Sequence, residues 1–271
     1  MAYSNFHNHT TYCDGKNTAE EMVLGAIERG YRAFGISEHS YTTVPFDKGN
    51  LTAESMPLYF TEMQKLREKY ANKIEILIGI EQDALGGLPT TGADYVIGST
   101  HFVCPNGEYR YVDDGTDGQI ETVTSIYGGD WNAFAEEYFR LESQVALITN
   151  CNIVGHFDLI NKNNAGDRLF DTAHPRYRAA AIDAMSELLK SCNVFEVNTG
   201  AMYRVGNTNP YPAPWLLREL LARGGEVILS GDSHNTESLG YKFPEMEELL
   251  RAVGFKHRKT LTRSGFVDIA L

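Results

Sequence analysis

Asn5-Phe6-His7-Asn8-His9 puts two imidazoles two residues apart near the start of a 271-residue chain. Four further histidine segments each follow an apolar run: Ser37-Glu38-His39, Ser99-Thr100-His101, Gly155-His156-Phe157-Asp158 and Gly231-Asp232-Ser233-His234. Imidazole and carboxylate suit zinc, manganese and iron. Residues i and i+2 of a strand share a face, so His7 and His9 can grip one ion together. Asp14, Glu81 and Asp232 stand at equivalent places beside the six histidines, making nine candidate ligands. Zinc takes about four ligands, and a catalytic zinc leaves one of these to water, so nine donors fit two or three ions better than one. Three divalent ions would outweigh three carboxylates and a hydroxide by about two charges, which matches a phosphate monoester dianion.

These residues must be carried to one place. The runs Arg32–Ser37, Glu75–Glu81, Tyr95–His101, Asn152–His156, Val194–Thr199 and Glu226–Ser230 read as strands with the metal-type residues at their C-terminal ends. Between them, Thr18-Ala19-Glu20-Glu21 has the form of a capping box opening a helix that Gly30 can stop. Glu54–Tyr70, Trp131–Thr149, Pro175–Ser191, Ala213–Arg223 and Pro244–Val253 have helical spacing or end signals. Such alternation means parallel strands in an α/β fold, with a strand-then-helix unit repeated about seven times. Nearly every strand ends in a polar residue, which a closed barrel explains better than an open sheet with one switch point. The helical repeats of Tyr138, Phe139, Leu141, Leu188, Leu189, Leu216, Leu217, Leu220 and Leu221, with Trp215, read as packing.

No linker or internal repeat divides the chain, so residues 1–271 are expected to form one domain. The segment 102–130 carries five glycines with Glu108, Asp113, Asp114 and Asp117, and it reads as a long loop leaving His101, placed to act as a lid or substrate loop. A charge of −12 without a basic run argues against nucleic acid, and a small anionic substrate then needs a local positive site. Nowhere do about 18 apolar residues run together, so no membrane span is expected, and the chain is placed in the cytoplasm. The dispersed Cys13, Cys104, Cys151 and Cys192 suggest buried or idle thiols.

The series HxH at His7 and His9, Tyr12-Cys13-Asp14-Gly15, Ser37-Glu38-His39, Gly79-Ile80-Glu81, Gly98-Ser99-Thr100-His101, Gly155-His156 and Gly231-Asp232-Ser233-His234 resembles the polymerase and histidinol phosphatase (PHP) family over nearly the whole chain. Gly155-His156-Phe157-Asp158-Leu159-Ile160-Asn161-Lys162 and Glu196-Val197-Asn198-Thr199-Gly200 resemble its histidinol-phosphatase branch. The resemblance implies a distorted (β/α)7 TIM-like barrel with its active site at the C-terminal strand ends. It also implies two to three divalent ions, zinc first, with manganese or iron as alternatives. His7, His9, Glu81 and Asp232 would hold one ion. Glu81 would bridge to a second held by His101 and His156, and Asp14, His39 and His234 would hold a third. Glu81 and Asp232 would then be catalytic as metal carriers.

The implied activity is hydrolysis of L-histidinol phosphate to L-histidinol and phosphate in histidine biosynthesis. Two ions about 3.5–4 Å apart would supply a bridging hydroxide to attack phosphorus. A family phosphoesterase acting on nucleotides or oligonucleotides, or a non-catalytic metal-binding module, are the alternatives. For the phosphate, Arg204 leads, with Lys162 and Arg168 behind it, because a guanidinium can take two phosphate oxygens. Asp113 and Asp114 are expected to receive the substrate's cationic part. Glu38 and Asp158, beside ligands, are candidates for orienting imidazoles. No general acid is assigned.

Overall fold

The computed structural model describes residues 3–271. The chain runs β1 (Ser4–Asn5), α1 (Ala19–Glu28), β2 (Ala33–His39), α2 (Ser55–Lys69), β3 (Glu75–Asp83), β4 (Tyr95–Ser99), β5 (Phe102–Val103), β6 (Arg110–Tyr111), α3 (Gly115–Tyr127), α4 (Trp131–Glu142) and α5 (Val145–Thr149). It continues with β7 (Ile153–Val154), α6 (Pro175–Leu188), β8 (Val194–Asn198), α7 (Gly200–Arg204), α8 (Pro214–Ala222), β9 (Glu226–Ser230), α9 (Phe243–Val253), β10 (His257–Thr262) and β11 (Gly265–Ala270). One nine-stranded sheet has the order β1-β2-β3-β4-β7-β8-β9-β10-β11, parallel up to β10 and closed off by antiparallel β11. The sheet curls, because Asn8 bridges to Ser233 and the His9 amide donates to the Ser233 carbonyl at 2.9 Å. The residues after β1 therefore lie beside those after β9, and all the parallel strand ends surround one hollow.

Local chemistry explains the elements. The Thr18 hydroxyl accepts from the Glu21 amide while Glu21 reaches back to the Thr18 amide, so the capping box forms as its spacing requires. Gly30 adopts a positive φ and ends the turn after α1. Alternation divides β2 and β3 between two cores. Phe34, Ile36, Ile76, Ile78 and Ile80 pack under α1 and α2, whereas Ala33 and Leu77 join Phe6, Tyr95, Ile97, Ile153, Val194 and Ile228 inside the curl. The inner core depends on two glycines. A Cβ at Gly35 would lie 2.3 Å from the Tyr95 hydroxyl, and one at Gly79 would lie 2.2 Å from its Cζ. Tyr95 fills the space they leave and donates to the Phe6 carbonyl, tying β4 to the segment that carries His7.

Several expectations change. β3 passes to β4 through residues 84–94 without a helix, so the strand-helix unit is not uniform. Trp131–Thr149 is two helices, α4 and α5, separated at Ser143 and Gln144. The hairpin β10–β11 adds strands that the sequence reading did not assign: β10 is mostly polar, and the apolar residues of β11 are partly exposed and interrupted by Asp268. Segment 102–130 is not a loop: it holds the β5–β6 hairpin and the 13-residue α3, whose Thr122 and Val123 are buried. Gly115 opens α3, and Gly128, in the left-handed region, stands at its C-terminus. Tyr138, Phe139, Leu188, Leu216, Leu217 and Leu220 are core, and Leu141, Leu189, Leu221 and Trp215 pack against it. No helix among the described residues is long and apolar enough to cross a membrane.

Candidate metal centre and active-site cleft

Parity and strand ends bring the donors together. Glu81 shares the inner face of β3 with Leu77 and Gly79, His39 ends β2, and His101 lies two residues beyond β4. His156 follows the short β7, where the chain has left the sheet and its side chain turns inward. Asp232 lies two residues beyond β9 in a left-handed conformation (φ 45°) that costs on the order of 1–3 kcal/mol and aims its carboxylate back over the hollow.

The nine candidate ligands all gather around Glu81 and Asp232. His7 Nε2, His9 Nε2 and His39 Nδ1 lie 3.1, 3.5 and 2.8 Å from Glu81 Oε2. His156 Nε2 and His101 Nε2 lie 3.0 and 3.3 Å from Oε1. Asp232 Oδ1 lies 3.3 Å from His9 Nε2, 3.6 Å from His234 Nδ1 and 3.8 Å from His7 Nε2. Asp14 approaches His234 at 3.2 Å and His39 at 3.7 Å. Donor atoms of His9, Asp14, His39 and His234 form one compact group, those of His7, His9 and Glu81 another, and those of His39, Glu81 and His101 a third. His9 thus stands between two groups, and His39 reaches Glu81 as well as Asp14. Asp14 is 49% exposed, so its group opens to solvent, while the His7, His9 and Glu81 group is buried and the His39, Glu81 and His101 group is partly so.

A divalent cation suits this arrangement on two grounds. His7 Nε2, His9 Nε2 and Glu81 Oε2 are buried without a hydrogen-bond partner and face one another. Two ligands each about 2.0–2.1 Å from a tetrahedral zinc lie about 3.3–3.4 Å apart, which the spacings of His7, His9 and His101 from Glu81 bracket.

The electrostatics follow from burial set against charge. Burial opposes ionisation of Glu81, but His7, His39 and His101 overcome it and hold the carboxylate well below its usual pKa. Burial likewise disfavours charge on His7, yet Glu196, Glu81 and Asp232 hold its pKa well above normal. His9, buried and beside His39 and His234, is depressed to about 3. Asp232, desolvated but facing Arg204 and His7, stays ionised.

Two buried carboxylates that sequence reasoning left without a role orient the imidazoles. Glu196 Oε1 receives His7 Nδ1 at 2.8 Å, and its Oε2 accepts from the His156 amide and from Asn198. Asp83 Oδ2 accepts from the His101 amide and lies 3.1 Å from its Nδ1. Each leaves the opposite nitrogen, Nε2, to face Glu81. The signal for Glu196 was its place at alternating spacing with Val194 on the inner face of a strand. Glu38 takes another task, accepting from the Thr10 amide and hydroxyl and from Cys13 Sγ, and so fixing the turn that carries Asp14. Cys13 is therefore engaged rather than idle. Asp158 does not touch an imidazole: Asn161 and the Ala213 amide donate to it, and burial lifts its pKa to about 7.

Arg204 belongs to the site. Its Nη2 lies 2.7 Å from Asp232 Oδ2 and its Nη1 3.0 Å from His234 Nδ1. A Cβ at residue 200 would come within 3.0 Å of both Asp232 and Arg204, so Gly200 permits the approach. Lys162 is paired with Asp113 at 2.6 Å, and Asp113 lines the cleft beside His101. Arg168 bonds instead to the Asn163 carbonyl and Thr116 and reaches none of the nine donors. Asp114 is exposed at the start of α3, with its carboxyl over Gly118, and does not line the cleft. Asp113 and Asp114 occupy the bend that leads into α3, and Arg168 follows a single 3-10 turn, so irregular backbone sets the direction of each side chain.

A profile of the PHP domain matches residues 5–200. A protein of Deinococcus radiodurans named "Probable histidinol-phosphatase" is 26% identical over 268 aligned residues, covering 93% of this chain and 96% of its own. A Listeria monocytogenes structure assigned as a histidinol phosphatase matches with a TM-score of 0.77 at 21% identity, covering 89% of this chain and 99% of that one. Histidinol phosphate phosphatase from Lactococcus lactis, complexed with zinc, L-histidinol and phosphate, matches with a TM-score of 0.69 at 21% identity and 98% coverage of both. These two structures share the α/β fold with its curled parallel sheet.

Proposed function

The chain belongs to the PHP-domain family, and from that membership we propose that it is a metal-dependent phosphomonoesterase that hydrolyses L-histidinol phosphate to L-histidinol and phosphate. The convergence of six histidines and three carboxylates around Glu81 and Asp232 carries the chemistry. The full-length likeness to a protein named as a histidinol-phosphatase, and a similar fold whose structure contains zinc, L-histidinol and phosphate, support the substrate. On this reading the curled sheet is the distorted (β/α)7 barrel expected from the family resemblance.

His7, His9, Glu81 and Asp232 would hold one divalent ion, Glu81 with His101 and His156 a second, and Asp14, His39 and His234 a third. Zinc is favoured by the imidazole-rich donor set. Such ions supply Lewis acidity toward phosphoryl oxygens and a nucleophile at neutral pH. Glu196 and Asp83 take the Nδ1 protons of His7 and His101 in hydrogen bonds, so that a metal ion would displace only the Nε2 proton on binding. Arg204, held by Asp232 and next to a cavity of about 410 Å³ that Lys16 also lines, offers its remaining donors to the phosphate. Segment 102–130 contributes Asp113 to the opposite wall and acts as the substrate cover.

The test is phosphate release from L-histidinol phosphate beside nucleotides, sugar phosphates and an aryl phosphate, with metal content determined on the same sample. A kcat/KM far above the others for L-histidinol phosphate, with two to three ions bound, is expected. Comparable weak rates across the panel would leave the phosphoesterase chemistry and remove this substrate.

A further inference from the structure

Two cavities flank the metal centre and share Asp14. One is lined by Lys16, Arg204, Asp232 and His234. The other, of about 200 Å³, opens beside Glu81, His39 and His101, and its walls come from the loop after β2, from Asp83 and from the β5–β6 hairpin. Its character differs from the first. Phe102 and Tyr111 line it with ring centroids 4.7 Å apart, and the exposed ring of Phe46 backs them at 5.1 Å from Tyr111 and 6.2 Å from Phe102. Lys48, exposed at the rim, is the one lysine or arginine among the lining residues, against four aspartates and Glu81.

Most of those aspartates are committed elsewhere. Asp14 approaches His39 and His234, Asp83 holds His101 and the Leu85 amide, and Asp113 is neutralised by Lys162. Asp47 differs. Thr42 and Asn50 both donate to its Oδ2, which fixes the carboxylate, and no described residue bonds its Oδ1. The negative charges of Asp47 and Asp113 also bear on the Tyr111 phenol, whose pKa is raised by burial first and by these neighbours next. A fixed carboxylate beside a cluster of tilted aromatic rings is the chemistry that selects an organic cation. The buried Glu81 carboxylate at the inner end of the same cavity ties it to the reacting centre.

We propose that this cavity receives the cationic organic half of the substrate and that Asp47, with the Phe46, Phe102 and Tyr111 rings, determines specificity for phosphate monoesters of protonated amino alcohols. The inference rests on the phosphomonoesterase reading and extends it, since it divides the cleft into a phosphate end at Arg204 and a cation end at Asp47. Asp113, already paired, is then a wall and not the selector.

The experiment compares kcat/KM for two cationic esters, L-histidinol phosphate and phosphoethanolamine, with two lacking a cation, ethyl phosphate and glycerol 3-phosphate, using metal-loaded wild type, Asp47→Asn and Phe46→Leu. Calorimetric binding of free L-histidinol, metal content and melting temperature accompany each. Asn keeps an acceptor for Thr42 and Asn50, and Phe46 is exposed, so both variants are expected to fold and load metal as wild type does. Asp47→Asn should reduce the cationic-to-neutral ratio by about 10- to 100-fold, the range of one charge-assisted hydrogen bond, and weaken L-histidinol binding in parallel. Phe46→Leu should reduce the ratio by less. A wild-type preference for the cationic esters that survives in both variants overturns this inference alone. A wild type that handles all four esters alike overturns it together with the histidinol-phosphate reading.

Discussion

Replacing Glu196 by Gln tests whether the metal centre depends on a carboxylate that makes no ligand contact of its own. Glu196 Oε1 receives His7 Nδ1, and Oε2 accepts from both the His156 amide at 3.1 Å and Asn198 Nδ2 at 3.0 Å. A glutamine has one acceptor oxygen and one donor NH2. Two fixed donors hold the oxygen at the Oε2 position, which turns the NH2 toward His7 Nδ1. His7 must then accept there and carry its proton on Nε2, the nitrogen 3.1 Å from Glu81. A protonated Nε2 cannot ligate, so each ion bound must first reverse the tautomer or break a hydrogen bond. Loss of such an orienting partner costs about 10- to 100-fold in metal affinity or activity, or about 1.4–2.7 kcal/mol. Metal affinity by chelator competition and kcat/KM at saturating metal are the assays, with a melting curve to establish folding. Glu196→Gln binding metal and turning over as wild type would refute the reasoning. Glu196→Asp with intermediate values would strengthen it.

Three other outcomes are expected. Arg204→Ala should raise KM for phosphate monoesters and lower kcat/KM by about 10- to 100-fold, the value of a charge-assisted contact; unchanged kinetics would remove Arg204 from phosphate binding. Glu142 is buried in α4, and burial raises its pKa well above normal. The folded chain keeps this proton while the unfolded chain releases it above about pH 4.5, so stability should fall as pH rises, with a slope of up to about 1.4 kcal/mol per unit. In Glu142→Gln that contribution vanishes; denaturant curves across pH with identical slopes in both proteins would contradict it. Gly79→Ala forces a Cβ to within 2.2 Å of Tyr95 Cζ and should destabilise by about 1–3 kcal/mol in urea unfolding, whereas wild-type stability would show that the inner core yields easily.

What could be read along the chain were features carried by neighbouring residues. The Thr18 capping box, the end of α1 at Gly30 and the boundaries of α2, α6, α8 and α9 depend on groups within a few positions, and they form as spacing dictates. The donors were legible for a related reason: alternation sets which side chains share a face, and parallel strands deliver their C-terminal ends to one rim. The helix α3 was obscured because its glycines, threonines and Asp117 have weak helical propensity, and packing of Thr122 and Val123 outweighs it. The hairpin β10–β11 was obscured because β10 is mostly polar and Asp268 interrupts the apolar residues of β11.

By itself, then, the sequence determined the α/β alternation, the helix ends and the nine imidazole and carboxylate donors, since these follow from local propensity and periodicity. Only the tertiary structure decided how they meet. Curling the sheet until Asn8 reaches Ser233 sets His7 and His9 against Glu81 and Asp232, and Glu196 and Asp83 acquire their tasks from contacts 189 and 18 residues away. Arg204 reaches Asp232 across the sheet whereas Arg168 bonds Asn163 and Thr116, because the direction of a side chain depends on the element that carries it and not on the order of residues.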